Sequence, residues 1–265
     1  MYNRLRSMSF SCTAMDSAGP NISVELLPLE LREVYQSWRR SSATPDNYSH
    51  TVVECDWPVS IYVPERYEEG YAYPLVTWFH SDANDEDQLE DVMNALSPQN
   101  YVGLALRGNR SLEKTGGMRW DVSSFEKSSV NVSELLHLTT CRLRRAFHVH
   151  SERIFLAGCG HGADAALHLL CKHPEWFAGA MLLDPFCEVG TLPGNGLVGL
   201  ESKPILLSHA RNSALDVLAR CVASVRSLRN AGATVDVRMT DLPVDPLSNE
   251  IRSLDYWMMD CIKRQ

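Results

Sequence analysis

The sequence has no CxxC pair and no close Cys/His cluster; its eight cysteines stand apart at positions 12, 55, 141, 159, 171, 187, 221 and 261. That spacing suggests neither a zinc site nor a disulfide framework, and it fits reduced thiols in a cytoplasm. Positive charge is also in short supply: 25 Lys and Arg against 33 Asp and Glu leave a formal charge of −8. Phosphate-binding surfaces concentrate Lys and Arg, so a nucleic-acid partner is not expected. Long apolar runs are missing as well. Met1 to Pro20 carries Arg4 and Arg6 but not the uninterrupted apolar stretch of a signal peptide, and no later segment reaches the length of a membrane span. No repeat or low-complexity tract is visible, and no motif implies a cofactor or a metal.

What is present is an ordinary globular composition, 45% hydrophobic and 22% charged over 265 residues, which is enough chain to bury one large core. Residues 1–48 read as a polar, Ser-rich N-terminal extension. Within it Leu26 to Trp38 repeats Leu, Val and Trp at helical spacing, which predicts one docked helix. Residues 49–265 read as a single α/β domain, opening with Thr51–Cys55 and Val59–Val63 as a predicted antiparallel pair. Short apolar runs follow at Leu75–His80, Tyr101–Arg107, Arg153–Gly158, Gly179–Leu183, Ile205–His209 and Val235–Met239, the pattern of buried parallel strands. Amphipathic stretches lie between them near 87–97, 129–148, 161–173, 214–231 and 248–264. This alternation predicts a mainly parallel sheet of about seven or eight strands with helices on both faces. The long segment from Gly108 to Ser128, containing Gly116, Gly117 and Trp120, is a candidate pocket rim.

The informative stretch is Arg153-Ile-Phe-Leu-Ala-Gly158-Cys159-Gly160-His161-Gly162-Ala-Asp-Ala-Ala-Leu167, a strand that turns into a helix through alternating glycines. It has the frame of a G-x-S-x-G nucleophile elbow, in which the outer glycines let strand and helix approach and the central serine sits on a strained turn. The segment and its setting resemble the phospholipase/carboxylesterase, dienelactone-hydrolase-like group of α/β-hydrolases. Pro74-Leu-Val-Thr-Trp-Phe-His80 resembles that family's strand ending in His-Gly, and Asn100-Tyr-Val-Gly-Leu-Ala-Leu-Arg-Gly108 its next strand. His173-Pro-Glu-Trp-Phe-Ala-Gly-Ala180 resembles the run into the strand after the elbow helix. The resemblance covers Thr51 to the C-terminus and implies the α/β-hydrolase fold.

The departures from the family pattern bear on function. Gly160 stands at the nucleophile position and has no side chain to attack with. Cys159 could replace it only if a side chain that normally points into the packing were turned outward; otherwise it is a small buried apolar residue. His161 is expected to be a polar pocket-wall or helix N-terminal residue. The stretch resembling H-G-x-x-D reads His209-Ala-Arg-Asn212-Ser213, so the acid position holds Asn212 or Ser213, expected to cap the helix starting near Ala214. The loop after the last strand contains Val244 and Asp245 but no histidine, and none occurs beyond His209. His80-Ser81-Asp82 replaces His-Gly at the oxyanion loop.

These losses lead to the expectation of a catalytically degenerate hydrolase-fold protein binding a small molecule or a protein partner, with His80, Ser81, Trp120, His161 and His209 as pocket candidates. No Ser, Cys or Thr side chain is expected within hydrogen-bond reach of an imidazole at this edge. The alternative is an active carboxylesterase or thioesterase with a rebuilt, non-serine site, using Cys159 with His161 or His209. Oligomeric state is not legible in the sequence.

Overall fold

The computed structural model describes residues 4–10, 57–113, 116–125, 131–187, 191–192, 197–241 and 250–264. The predicted helix at Leu26–Trp38 and the predicted strand at Thr51–Cys55 lie outside the described residues, as do Val244 and Asp245.

An eight-stranded sheet forms the centre. Its strands are β1 (Arg4–Phe10), β2 (Trp57–Tyr62), β3 (Tyr73–Phe79), β4 (Val102–Leu106), β7 (Val149–Cys159), β8 (Gly179–Leu183), β9 (Pro204–Ala210) and β10 (Thr234–Thr240), in the order β1-β2-β4-β3-β7-β8-β9-β10. From β4 to β10 all neighbours are parallel, whereas β2 runs antiparallel to both β4 and β1. The outer antiparallel partner of β2 among the described strands is thus Arg4–Phe10, in the segment read from sequence as a polar extension; its Ser-rich composition gives no strand signal. A small hairpin of β5 (Arg110–Ser111) and β6 (Met118–Arg119) occupies the long segment after β4.

The helices are α1 (Gln88–Leu96), α2 (Val132–Ala146), α3 (His161–Lys172), α4 (Leu215–Asn230) and α5 (Glu250–Arg264), each within a few residues of its sequence-predicted span. Side chains alternate across each strand, which sorts the core into two layers. Leu75, Phe79, Leu156 and Leu182 pack with Leu136 of α2, Leu167 of α3 and Leu228 of α4. Val76, Trp78, Phe155, Ala157 and Met181 pack on the other face with Leu89 and Met93 of α1 and Leu254 and Met258 of α5. The mainly parallel sheet is the one that the strand and helix pattern predicts, and its layout is the α/β-hydrolase fold that the resemblance implies.

Register places the site. Phe79 lies beside Gly158, and Leu183 lies beside both Cys159 and Ser208. The residues that follow these strands (His80 to Asp82, Gly160, Asp184) and His209 therefore meet at the C-terminal edge of the sheet, where parallel α/β sheets place their ligand sites.

Candidate functional site

The strand-to-helix turn from Gly158 to Gly162 has at its centre a glycine, which carries no side chain. Gly160 has φ +60° and ψ −124°, a conformation that glycine adopts freely and other residues adopt under strain. Glycine here occupies the tight conformation of the turn without cost. The flanking glycines are required by contact. A Cβ at Gly158 would meet the Gly162 carbonyl carbon at 2.5 Å, and one at Gly162 would meet the Phe79 carbonyl oxygen at 2.2 Å. A Cβ at Gly160 would meet only Phe186 Cε2, at 3.4 Å. The Phe186 ring thus sits over the position a serine side chain would leave, and it also lies against the His161 ring, centroid to centroid 4.4 Å.

His161, first residue of α3, is held on both ring nitrogens. Its Nδ1 is 2.8 Å from Asp82 Oδ2 and its Nε2 is 2.7 Å from an Arg119 Nη2. Arginine can only donate, so Nε2 is the acceptor and Nδ1–H donates to the carboxylate. An orienting acid for His161 therefore exists, which no local feature of the sequence announces, and it comes from a loop 79 residues away. The lone pair a general base would use is engaged by Arg119. Ser81, which follows His80 after β3, gives its amide N–H to Gln88 Oε1 at 3.0 Å.

Cys159 is buried and packs among Met181, Leu183 and Ala157 on the α1/α5 face, away from the elbow opening. His80 and Trp120 need correction as pocket residues, since the first is fully buried and the second 1% exposed. His80 Nε2 accepts the Gly108 amide at 2.8 Å, which puts the ring proton on Nδ1, facing the Ser81 carbonyl at 2.9 Å; burial pushes its pKa below the ordinary histidine value. Trp120 packs edge-on against Phe79 and Phe125 in the core, where the chain turns inward directly after the β5–β6 hairpin.

The acid position also differs from expectation. Asn212 is exposed, and α4 begins with no side-chain cap at Ala214. Ser213 turns to His209 instead, Oγ 3.1 Å from Nδ1. His209 is buried, and its Nδ1 lies 3.0 Å from Asp184 Oδ1, at the end of β8. That carboxylate is the main reason the His209 pKa rises to about 9. The Cys221 thiol of α4 also neighbours this imidazole, so the expectation that no hydroxyl or thiol would pair with a histidine here fails at His209. Among the described residues no group of three or more His, Cys, Asp or Glu side chains is arranged to hold a metal, and no helix is long and apolar enough to cross a membrane.

No protein-family model matches the sequence, and no curated protein matches it in sequence. Solved structures do match. The carboxylesterase of Bacillus cereus superposes with a TM-score of 0.61 at 18% identity, covering 77% of this chain and 94% of that one. A carboxylesterase from Mesorhizobium loti gives 0.56 at 19% identity, covering 75% and 93%. A phospholipase/carboxylesterase from Dyadobacter fermentans gives 0.54 at 14%, covering 76% and 95%. At such identities the likeness establishes the fold.

Proposed function

We propose that this carboxylesterase-like α/β-hydrolase fold is catalytically degenerate and uses the cleft at its elbow to bind a small molecule or a protein partner without hydrolysing it, in a reducing, cytoplasmic setting. One observation carries this reading: the elbow turn is intact while its central residue, Gly160, has no nucleophile and faces Phe186. The neighbouring imidazole supports it, since His161 is committed on both nitrogens to Asp82 and Arg119. A group so held can orient or receive a ligand, but its lone pair is not open to a proton from a hydroxyl.

The test is hydrolysis of short-chain p-nitrophenyl esters together with labelling by a serine-directed fluorophosphonate, for wild type and Gly160→Ser. Neither protein is expected to turn over ester above background, because serine at 160 supplies an oxygen while the lone pair of the neighbouring imidazole is already engaged. Labelling of Gly160→Ser at rates typical of serine hydrolases would sink the proposal.

A second reading, an active hydrolase rebuilt around a thiol, is favoured by the grouping of Cys221, His209 and Asp184. Against it, Cys221 is only 4% exposed. Ester turnover that disappears in Cys221→Ala would favour it over the first.

A further inference from the structure

The segment Asp184-Pro-Phe-Cys187, which follows β8, carries two positive-φ residues that are not glycine, Asp184 at 44° and Cys187 at 50°. Such conformations persist where the surroundings over-determine them, and here each residue of the segment is tied down. Asp184 accepts the Ala210 amide at 2.8 Å and faces His209. The Pro185 carbonyl lies 3.3 Å from Cys221 Sγ, and the Phe186 carbonyl accepts from Arg220 Nε at 3.2 Å. The Cys187 amide donates to Asp164 Oδ1 of α3 at 2.8 Å. The outcome of these ties is that two thiols 34 residues apart in sequence have their sulfur atoms 3.3 Å apart. Beside them is a buried histidine whose Nε2 is shielded from solvent and makes no hydrogen bond to any described residue.

We propose that Cys187 and Cys221 form a redox modification site, a dithiol that a small hydroperoxide closes to an intramolecular disulfide with His209 as its acid–base partner. Cys221, the sulfur that neighbours the His209 imidazole, is the attacking one. The Cys187 hydrogen bond, then the His209 charge and Arg220, hold its pKa below the ordinary thiol range, whereas Cys187 is pushed up by its partner thiol and by burial. Thiolate character decides which sulfur reacts. The Cys221 thiolate attacks one peroxide oxygen and the O–O bond breaks. The departing oxygen takes the proton held by His209 and leaves as water or alcohol, and Cys221 becomes a sulfenic acid. Cys187 then attacks the Cys221 sulfur, its proton passing to the departing hydroxide, which leaves as water. Two thiols have lost two electrons to the peroxide. The sulfurs need to approach from contact to the roughly 2.05 Å of a bond. With Cys221 4% and Cys187 5% exposed, the oxidant proposed is a small peroxide rather than a bulky disulfide.

The closed form would fix the segment that holds Phe186 over Gly160, linking thiol state to the elbow. The site itself does not depend on the proposed function, because oxidation of the two thiols can be read whether or not the protein binds or hydrolyses anything.

The experiment is treatment of the reduced full-length chain with stoichiometric hydrogen peroxide, alkylation of remaining thiols in denaturant, and peptide mass spectrometry. A peptide pair joined through Cys187 and Cys221 is expected, with loss of two of the eight titratable thiols. Closure of the wild type should proceed at pH 6 nearly as fast as at pH 8, and His209→Gln should slow it about tenfold at pH 6, restoring the pH dependence of an ordinary thiol. Alkylation of both Cys187 and Cys221 at peroxide doses that oxidise the partly exposed Cys141 would overturn the proposal. A wild-type rate that climbs with pH like that of a free cysteine would overturn it equally, and needs no variant.

Discussion

Replacing the glycines of the elbow by alanine separates two demands that the same residue type meets, one conformational and one steric. At Gly160 the added methyl has space, its nearest neighbour being Phe186 Cε2 at 3.4 Å, but the backbone must hold φ +60° with ψ −124°. A non-glycine residue in so sparse a region costs roughly 1–3 kcal/mol, offset by about 0.5 kcal/mol through the stiffer unfolded chain. Gly160→Ala should therefore lose roughly 0.5–2.5 kcal/mol. At Gly162 no positive φ is involved, yet Cβ would lie 2.2 Å from the Phe79 carbonyl oxygen and 2.5 Å from that of His80. Strand β3 and helix α3 would have to part, at a cost of about 3 kcal/mol or more. Gly70 is the control, exposed, without positive φ and with no heavy atom within 4 Å of an added methyl; Gly70→Ala should lie between neutral and about 1 kcal/mol more stable. Urea midpoints give the ranking, and thermal scans should show Gly160→Ala melting roughly 1–10 °C below wild type. Equal stability of Gly160→Ala and Gly70→Ala would refute the claim that the elbow turn is retained.

Glu86 is fully buried and receives two guanidinium hydrogen bonds from Arg107, at 2.7 and 2.6 Å, so Arg107→Ala strands a buried carboxylate and should cost about 3 kcal/mol by urea denaturation; a loss below about 1 kcal/mol would show the pair to be dispensable. Arg107→Lys should recover only part of that loss, because an ammonium cannot reproduce the two-pronged contact. The His209–Asp184 pair predicts a pH-dependent stability. Since His209 binds its proton more tightly folded than unfolded, its contribution is complete below pH ~6.5 and fades as pH rises through about 9. Cys221 titrates with the opposite sign, so the comparison is made between Cys221→Ser and Cys221→Ser/His209→Gln: the double variant should be less stable by roughly 1–2 kcal/mol at pH 6 and by clearly less at pH 9.5. A gap that does not shrink with pH would mean that His209 contributes packing alone.

The sheet is legible in the sequence because its strands are short apolar runs buried on both faces, and a run such as Leu75–Phe79 admits few other placements. The elbow is legible because close backbone approach demands glycine at fixed spacing, and Gly158 and Gly162 meet that demand with contacts near 2.5 Å and below. Sequence reasoning fails where polar groups from separate loops converge. Nothing local marks Asp82 and Arg119 as partners of His161, since they arrive from the ends of β3 and β6. Trp120 is misplaced from sequence because a glycine-bearing segment of that length reads as an open loop, whereas the chain turns inward directly after the β5–β6 hairpin and packs it against Phe79. Cys187 and Cys221 read as scattered thiols, 34 residues apart. One signal for their site is available: Asp184 closes an apolar strand at the same sheet edge as the elbow, and a carboxylate at the end of a buried parallel strand points to a site rather than to packing.

The Asp184–Cys187 segment also closes over the glycine turn at 160. With no side chain at 160, the turn would be left open beneath the C-terminal edge; here the Phe186 ring covers it and meets the His161 ring, while the Phe186 carbonyl is anchored by Arg220. The anchors of this cover come from α3, through Asp164, and from α4, through Arg220 and Cys221. The side-chain-free turn at Gly160 and the Phe186 ring that covers it therefore fit each other. A serine at 160 would have to share its space with Phe186, and removing that ring, as in Phe186→Ala, would open the elbow and expose His161. Gly160→Ser combined with Phe186→Ala should consequently remain inert toward esters, because the Arg119 contact still occupies Nε2 of His161. Adding Arg119→Ala would release that lone pair beside an Asp82-oriented imidazole. Fluorophosphonate labelling that appears only in this triple variant would identify Arg119, rather than the absent serine alone, as the second lock on the site. Labelling already present in the double variant would show that His161 can serve as a base with Arg119 in place.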